Sequence, residues 1–157
     1  MNAVAGRLSL LVLVLFAATP AAGPRQASSF QDLLTRLADA PAELRAPAIN
    51  HYLNLAGSAP LIEGDTVVFL AEGDPGRPPR IVGDFNAWGK DTPPDPAFSG
   101  TMTRIEGTEW YYARMRVDRG ARIQYLIARG DRQELDPLNP RMVEDSGEKR
   151  SEVWVPK

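Results

Sequence analysis

Glu109-Trp110-Tyr111-Tyr112-Ala113-Arg114-Met115-Arg116-Val117 is the stretch that decides the fold class. Tyr111, Ala113, Met115 and Val117 fall on one face of an extended chain, and Trp110, Tyr112, Arg114 and Arg116 on the other. A period of two is what a β-strand demands, because successive side chains leave opposite sides of the pleat. The first set is expected to face a core and Trp110 to face outward.

Working outward, the same pattern repeats. Arg122–Ala128 sets Ile123, Tyr125 and Ile127 against Gln124 and Leu126, and Ser151–Val155 sets Val153 and Val155 against Trp154. Upstream, Thr66–Ala71 is a short apolar, β-branched run closed by the turn cluster Glu72-Gly73-Asp74-Pro75-Gly76. Arg80–Gly83 and Thr101–Ile105 are further short strands, joined by a proline- and aspartate-rich loop from Lys90 to Gly100. Glu144–Arg150 reads as a solvated hairpin loop. Short strands separated by turn signals predict an all-β domain over residues 61–157, an antiparallel sandwich of two sheets.

Residues 28–60 form a helical lead-in to that domain. Ser29 is placed to cap a helix in which Phe30, Leu33, Leu34 and Leu37 follow the i, i+3, i+4, i+7 pattern. Pro41 opens a second helical piece, with Leu44, Ile49, Leu53 and Leu55 loosely on one side and Gly57 as its stop. Pro47 is expected to distort this piece, unless the helix begins there. Further upstream, Met1–Gly23 has a short n-region ending at Arg7, an apolar run from Leu8 to Ala18 and a small-residue stretch, the pattern of a secretory signal peptide. The run is shorter than the ~20 residues of a comfortable membrane span, although an uncleaved anchor is the alternative. The mature chain then begins between Ala22 and Ser28 and is secreted or periplasmic, with no membrane span.

Composition narrows the function. A net charge of −2 gives no electrostatic footprint for nucleic acid. Without cysteine there is no disulfide, thiolate metal site or thiol nucleophile, and His51 alone leaves little for acid–base or metal chemistry. No metal or cofactor is expected. No Gly-x-Ser-x-Gly elbow, phosphate loop or dinucleotide fingerprint occurs, so no catalytic residue is assigned.

Val82-Gly83-Asp84-Phe85-Asn86-Ala87-Trp88 is the most specific motif: a strand ends at Gly83, a polar turn follows, and an aromatic stands at its far side. Later come Tyr125-Leu126-Ile127, a glycine turn at Gly130, and Asp136-Pro137-Leu138-Asn139-Pro140, a turn in which Asp136 and Asn139 are expected to bond nearby amides. This ordered set resembles the early-set immunoglobulin-like domain of glycogen branching and debranching enzymes. The same fold serves as the glycogen-binding module of the AMP-activated kinase β subunit and belongs with the family-48 carbohydrate-binding modules. The closer resemblance is to the N-terminal domain of enterochelin-esterase-like α/β-hydrolases, over about residues 30–157, and includes Trp110-Tyr111.

The resemblance implies an immunoglobulin-like (early-set) sandwich in which the tryptophan matched by Trp88 stacks on a sugar ring. The chain departs from the glycan-binding pattern where Leu126 replaces a lysine, and where Arg132 or Gln133 replaces a second tryptophan. Candidate ligand contacts are therefore Trp88, Asn86, Trp110 and Arg132. Trp88 either pins its loop or meets a ligand. Trp110 and Trp154 either form an interface or lie under the helices. The expected function is that of a non-catalytic accessory module, binding a glycan or siderophore-like ligand or docking onto an α/β-hydrolase or other protein partner. The alternatives are a genuine α-glucan-binding module using Trp88, or the front half of a split or truncated esterase acting as a docking domain.

Overall fold

A computed structural model describes residues 27–90 and 98–157. The expected signal peptide and most of the loop between Lys90 and Gly100 lie outside the described residues.

Among the described residues two helices come first, α1 (Phe30–Asp39) and α2 (Ala42–Ala56). Ser29 caps α1 as its sequence predicts, its hydroxyl accepting the Asp32 amide at 3.1 Å. Gly57 ends α2 in the left-handed region at φ 79°, its amide bonded to the Leu53 carbonyl. Pro47 does not break α2. It lies on the exposed side of the helix, as does Glu43, whose carbonyl is the one left without its i+4 donor. The expected apolar side of α2 is also narrower than its sequence suggests, because only Ile49 is buried whereas Leu44 and Leu55 are 55% and 50% exposed.

Nine strands follow among the described residues. They are β1 (Leu61–Glu63), β2 (Thr66–Glu72), β3 (Arg80–Gly83), β4 (Thr103–Arg104), β5 (Trp110–Arg116), β6 (Arg122–Arg129), β7 (Arg132–Glu134), β8 (Met142–Asp145) and β9 (Glu148–Trp154). All pair antiparallel, in one sheet of order β1-β2-β5-β4 and a second of order β3-β6-β9-β8, with β7 beside the end of β6. The expected solvated hairpin at 144–150 is the exposed tip of the β8–β9 hairpin, its strands paired up to a two-residue turn, Ser146-Gly147, in the left-handed region.

The sheets face each other across one core. Val67, Phe69 and Ala71 of β2 and Tyr111, Ala113 and Met115 of β5 meet Ile81, Ile123, Tyr125, Ile127 and Val153 of the second sheet. The inward sets of β5, β6 and β9 are those the alternation predicts. A second core lies on the other side of the first sheet, where Phe30, Leu33, Leu37 and Ile49 cover Val68, Leu70, Ile105 and Trp110. The first sheet is thus the middle layer of three. That explains the unbroken apolar run of β2, since a strand covered on both faces has no polar side to show. Among the described residues no helix covers the second sheet, and its outer face holds the candidate site.

Candidate ligand-binding face

The turn after β3 is built around Asn86, which is 1% exposed. Its Oδ1 accepts the Gly83 amide at 3.0 Å, and its Nδ2 donates to the carbonyls of Ile81 (2.8 Å) and Ser99 (3.2 Å). Gly100 permits this closeness: it adopts φ +79°, and a Cβ there would stand 1.9 Å from the Ile81 carbonyl oxygen and 2.5 Å from Asn86 Nδ2. Asn86 therefore ties β3, the turn and the 98–101 segment together. All three of these hydrogen bonds go to backbone, so Asn86 positions the turn.

That anchor holds an unusual stretch. Ala87, Trp88 and Gly89 are consecutive left-handed residues at φ 49°, 57° and 80°. For the two non-glycine residues this conformation costs about 1–2 kcal/mol each. It lays Trp88, half-buried, on the outer face of the second sheet. The indole Nε1 donates to Asp84 Oδ1 at 2.7 Å, and Gln133 Nε2 approaches the Trp88 carbonyl at 3.5 Å. The Arg150 guanidinium carbon sits 4.4 Å from the centre of the ring. A planar guanidinium over an indole restrains the ring by cation–π stacking. Arg150 is itself held by Asp145 Oδ2 (3.3 Å), Glu148 Oε2 (3.1 Å) and Gln124 Oε1 (3.3 Å).

The other two candidates lie elsewhere. Trp110 starts β5 in the first sheet and is only 5% exposed, packed beneath the α1–α2 layer. Tyr112 shares that cover, its ring edge-on to Phe30 with centroids 5.2 Å apart. Of the two alternatives for Trp110 and Trp154, Trp110 lies under the helices, whereas Trp154, 46% exposed on the second sheet, stays open. Arg132 is exposed and pairs with Glu134 at 3.6 Å, while its neighbour Gln133 is the residue that reaches Trp88. Alternation along β7 puts the two on opposite faces.

Sequence reasoning missed Arg150, Asp84, Gln124 and Gln133 as members of this face. For Arg150 a signal existed: the alternation that places Trp154 outward, followed back through Glu152, reaches Arg150 on the same face.

The Asp136–Pro140 turn is bonded to β6 at Tyr125 and to β9 at Ser151 and Glu152. Asp136 Oδ1 accepts the Leu138 amide and Asn139 Oδ1 the Arg141 amide, each at 2.9 Å, as expected of such a turn. In addition, the Tyr125 hydroxyl donates to Asp136 Oδ2 at 2.6 Å and accepts from Asn139 Nδ2 at 3.0 Å. Burial raises the Asp136 pKa above the usual aspartate value, against the hydrogen bonds from Tyr125 and Leu138 that favour its charged form. Burial also drives the Tyr125 hydroxyl upward, helped by the adjoining carboxylate.

A separate hollow of about 410 Å³ lies between the helices, lined by Leu33, Leu37, Leu44, Ala48, Tyr52 and Leu55 among others. His51 lies at its rim, exposed. Among the described residues no cluster of His, Asp and Glu is placed to hold a metal, and no helix is long and apolar enough to cross a membrane. Compared with known proteins, the chain matches no protein-family model and no curated sequence.

Proposed function

We propose that this chain is a non-catalytic binding module of the immunoglobulin-like, early-set type, exported behind its N-terminal leader and recognising a glycan through Trp88. The observation that carries this reading is the strained turn. Two non-glycine residues in left-handed conformation are held by a buried asparagine, and the outcome is an indole fixed on the outer face of the second sheet. Strain of that kind collects at functional sites, and a rigid aromatic surrounded by hydrogen-bonding side chains suits the apolar face and hydroxyl rim of a sugar. The motif resemblance points to the same residue.

The test is native affinity electrophoresis of the protein against a panel of soluble polysaccharides, with Trp88→Ala as control. Retardation by at least one polysaccharide is expected, weakened about tenfold or more in the variant. Wild-type protein that no polysaccharide retards overturns glycan recognition. The second reading, docking onto a hydrolase or another protein, is favoured by the exposed Leu44 and Leu55 beside the interhelical hollow.

A further inference from the structure

We infer that the site does not end at Trp88 but runs along β9 to Trp154, so that its ligand is a linear polysaccharide chain rather than a single sugar or a chain end. The inference rests on the glycan reading above and extends it to residues that the motif does not include.

The geometry comes from strand alternation. Ser151, Val153 and Val155 face the core, so Arg150, Glu152 and Trp154 face outward together. On β6, Arg122 is the register partner of Trp154 and Gln124 of Glu152, which places both on the same outer face. The Arg122 guanidinium carbon lies 5.3 Å from the centre of the Trp154 ring, repeating at this end the pairing of Arg150 with Trp88. The face therefore carries an arginine-backed indole at each end, with Gln124 and Glu152, both half-buried, between them. Arg150 and Trp154 are four residues apart, so their Cα atoms are roughly 13 Å apart at about 3.3 Å per residue. That span exceeds one pyranose ring, and a ligand that touches both indoles must be a chain.

The chemistry selects the kind of chain. Arg122 and Arg150 are balanced by Glu152, Asp145 and Glu148, so the face offers no net attraction to a polyanion. Between the indoles the surface is polar, whereas the centre of a protein-recognition patch is apolar and depleted in charge. Aromatic platforms separated by amide and carboxylate groups match a polymer that repeats apolar ring faces and hydroxyls.

The experiment is a calorimetric titration with malto- and cello-oligosaccharides, each from the disaccharide to the heptasaccharide, using wild type, Trp88→Ala, Trp154→Ala and Trp154→Tyr. The expected result is affinity that rises about tenfold between the trisaccharide and the hexasaccharide of one series. Trp154→Ala abolishes that rise, keeps the affinity for the short members and leaves thermal unfolding unchanged, while Trp154→Tyr retains the rise. Trp88→Ala weakens binding at every length. Trp88-dependent binding that is flat with length, or a rise that survives Trp154→Ala, overturns the extended site and leaves the glycan reading standing. No binding by the wild type to either series, together with no retardation by any polysaccharide, overturns both.

Discussion

The two outer faces of the sandwich begin from the same sequence feature and reach opposite fates. Trp110 and Trp154 each sit at an outward position of an alternating strand. Trp110 is buried beneath Phe30, Leu33, Leu37 and Ile49, and Trp154 stays nearly half exposed. What separates them is not the strand but what is stacked on it. The covered face has become a second hydrophobic core. The bare face carries hydrogen bonds, ion pairs and two guanidinium–indole contacts, all compatible with water. A helical layer that serves as core should matter to stability far more than the residues of the open face, and the open face should matter to binding.

The comparison breaks first at Phe30. It is fully buried and packs on Tyr112 and Tyr52. Phe30→Ala is expected to lose about 3–5 kcal/mol of unfolding free energy in urea titration. The tryptophan emission of its native state should shift to the red as water reaches Trp110. A loss below about 0.5 kcal/mol, the size usual for a surface substitution, would show that α1 is an appendage rather than a layer.

Asn86 gives the next largest effect and ties the bare face to the fold. Asn86→Ala leaves the Gly83 amide and the Ile81 carbonyl without their side-chain partner, at about 1–3 kcal/mol for each buried group that water does not reach. Chemical denaturation should show the loss, and titration with the glycan that retards the wild type should show weakened binding as Trp88 loses its support. Stability lost with affinity intact would separate the turn from the site.

The smallest effect sharpens the contrast between buried and exposed carboxylates. Asp136 has its pKa raised above 3.8 by burial, so the folded state holds the proton more tightly than the unfolded chain. Its contribution to stability therefore falls as pH rises from 3.8 through its folded midpoint. Asp32 and Asp65 have theirs lowered, chiefly by hydrogen bonds from Arg36 and Arg116, so they contribute stability above 3.8 and lose it as pH falls through their folded midpoints. Carboxyl chemical shifts followed by NMR should put the Asp136 midpoint above 3.8 and those of Asp32 and Asp65 below it. An Asp136 midpoint below 3.8 would mean that its hydrogen bonds outweigh its burial.

Much of this was legible in the chain. The alternation of β5, β6 and β9 assigned inward and outward sets that the packing confirms, and the Ser29 and Gly57 signals placed the start of α1 and the end of α2. Trp88 was legible as a candidate from its motif. Asn86 was legible as part of the turn but not as its buried anchor, because three hydrogen bonds to backbone at Gly83, Ile81 and Ser99 require those atoms to converge in space. Arg132 and Gln133 are neighbours in sequence, and strand pairing of β7 with β6 chose which one reaches Trp88. Pro47 was read as a distortion because local rules count the missing amide, whereas both Pro47 and Glu43, whose carbonyl loses its donor, lie on the exposed side of the helix.

The sequence by itself determined which residues of each strand share a face, where the helices are capped and that the last hundred residues are mostly β, since these follow from backbone periodicity and local hydrogen bonding. Only the tertiary structure decided which outward face would be covered. Periodicity specifies the side of a strand to which a residue points, whereas burial depends on what packs against that side. The α1–α2 layer rests on the first sheet alone, so Trp110 became core and Trp88 and Trp154 remained surface.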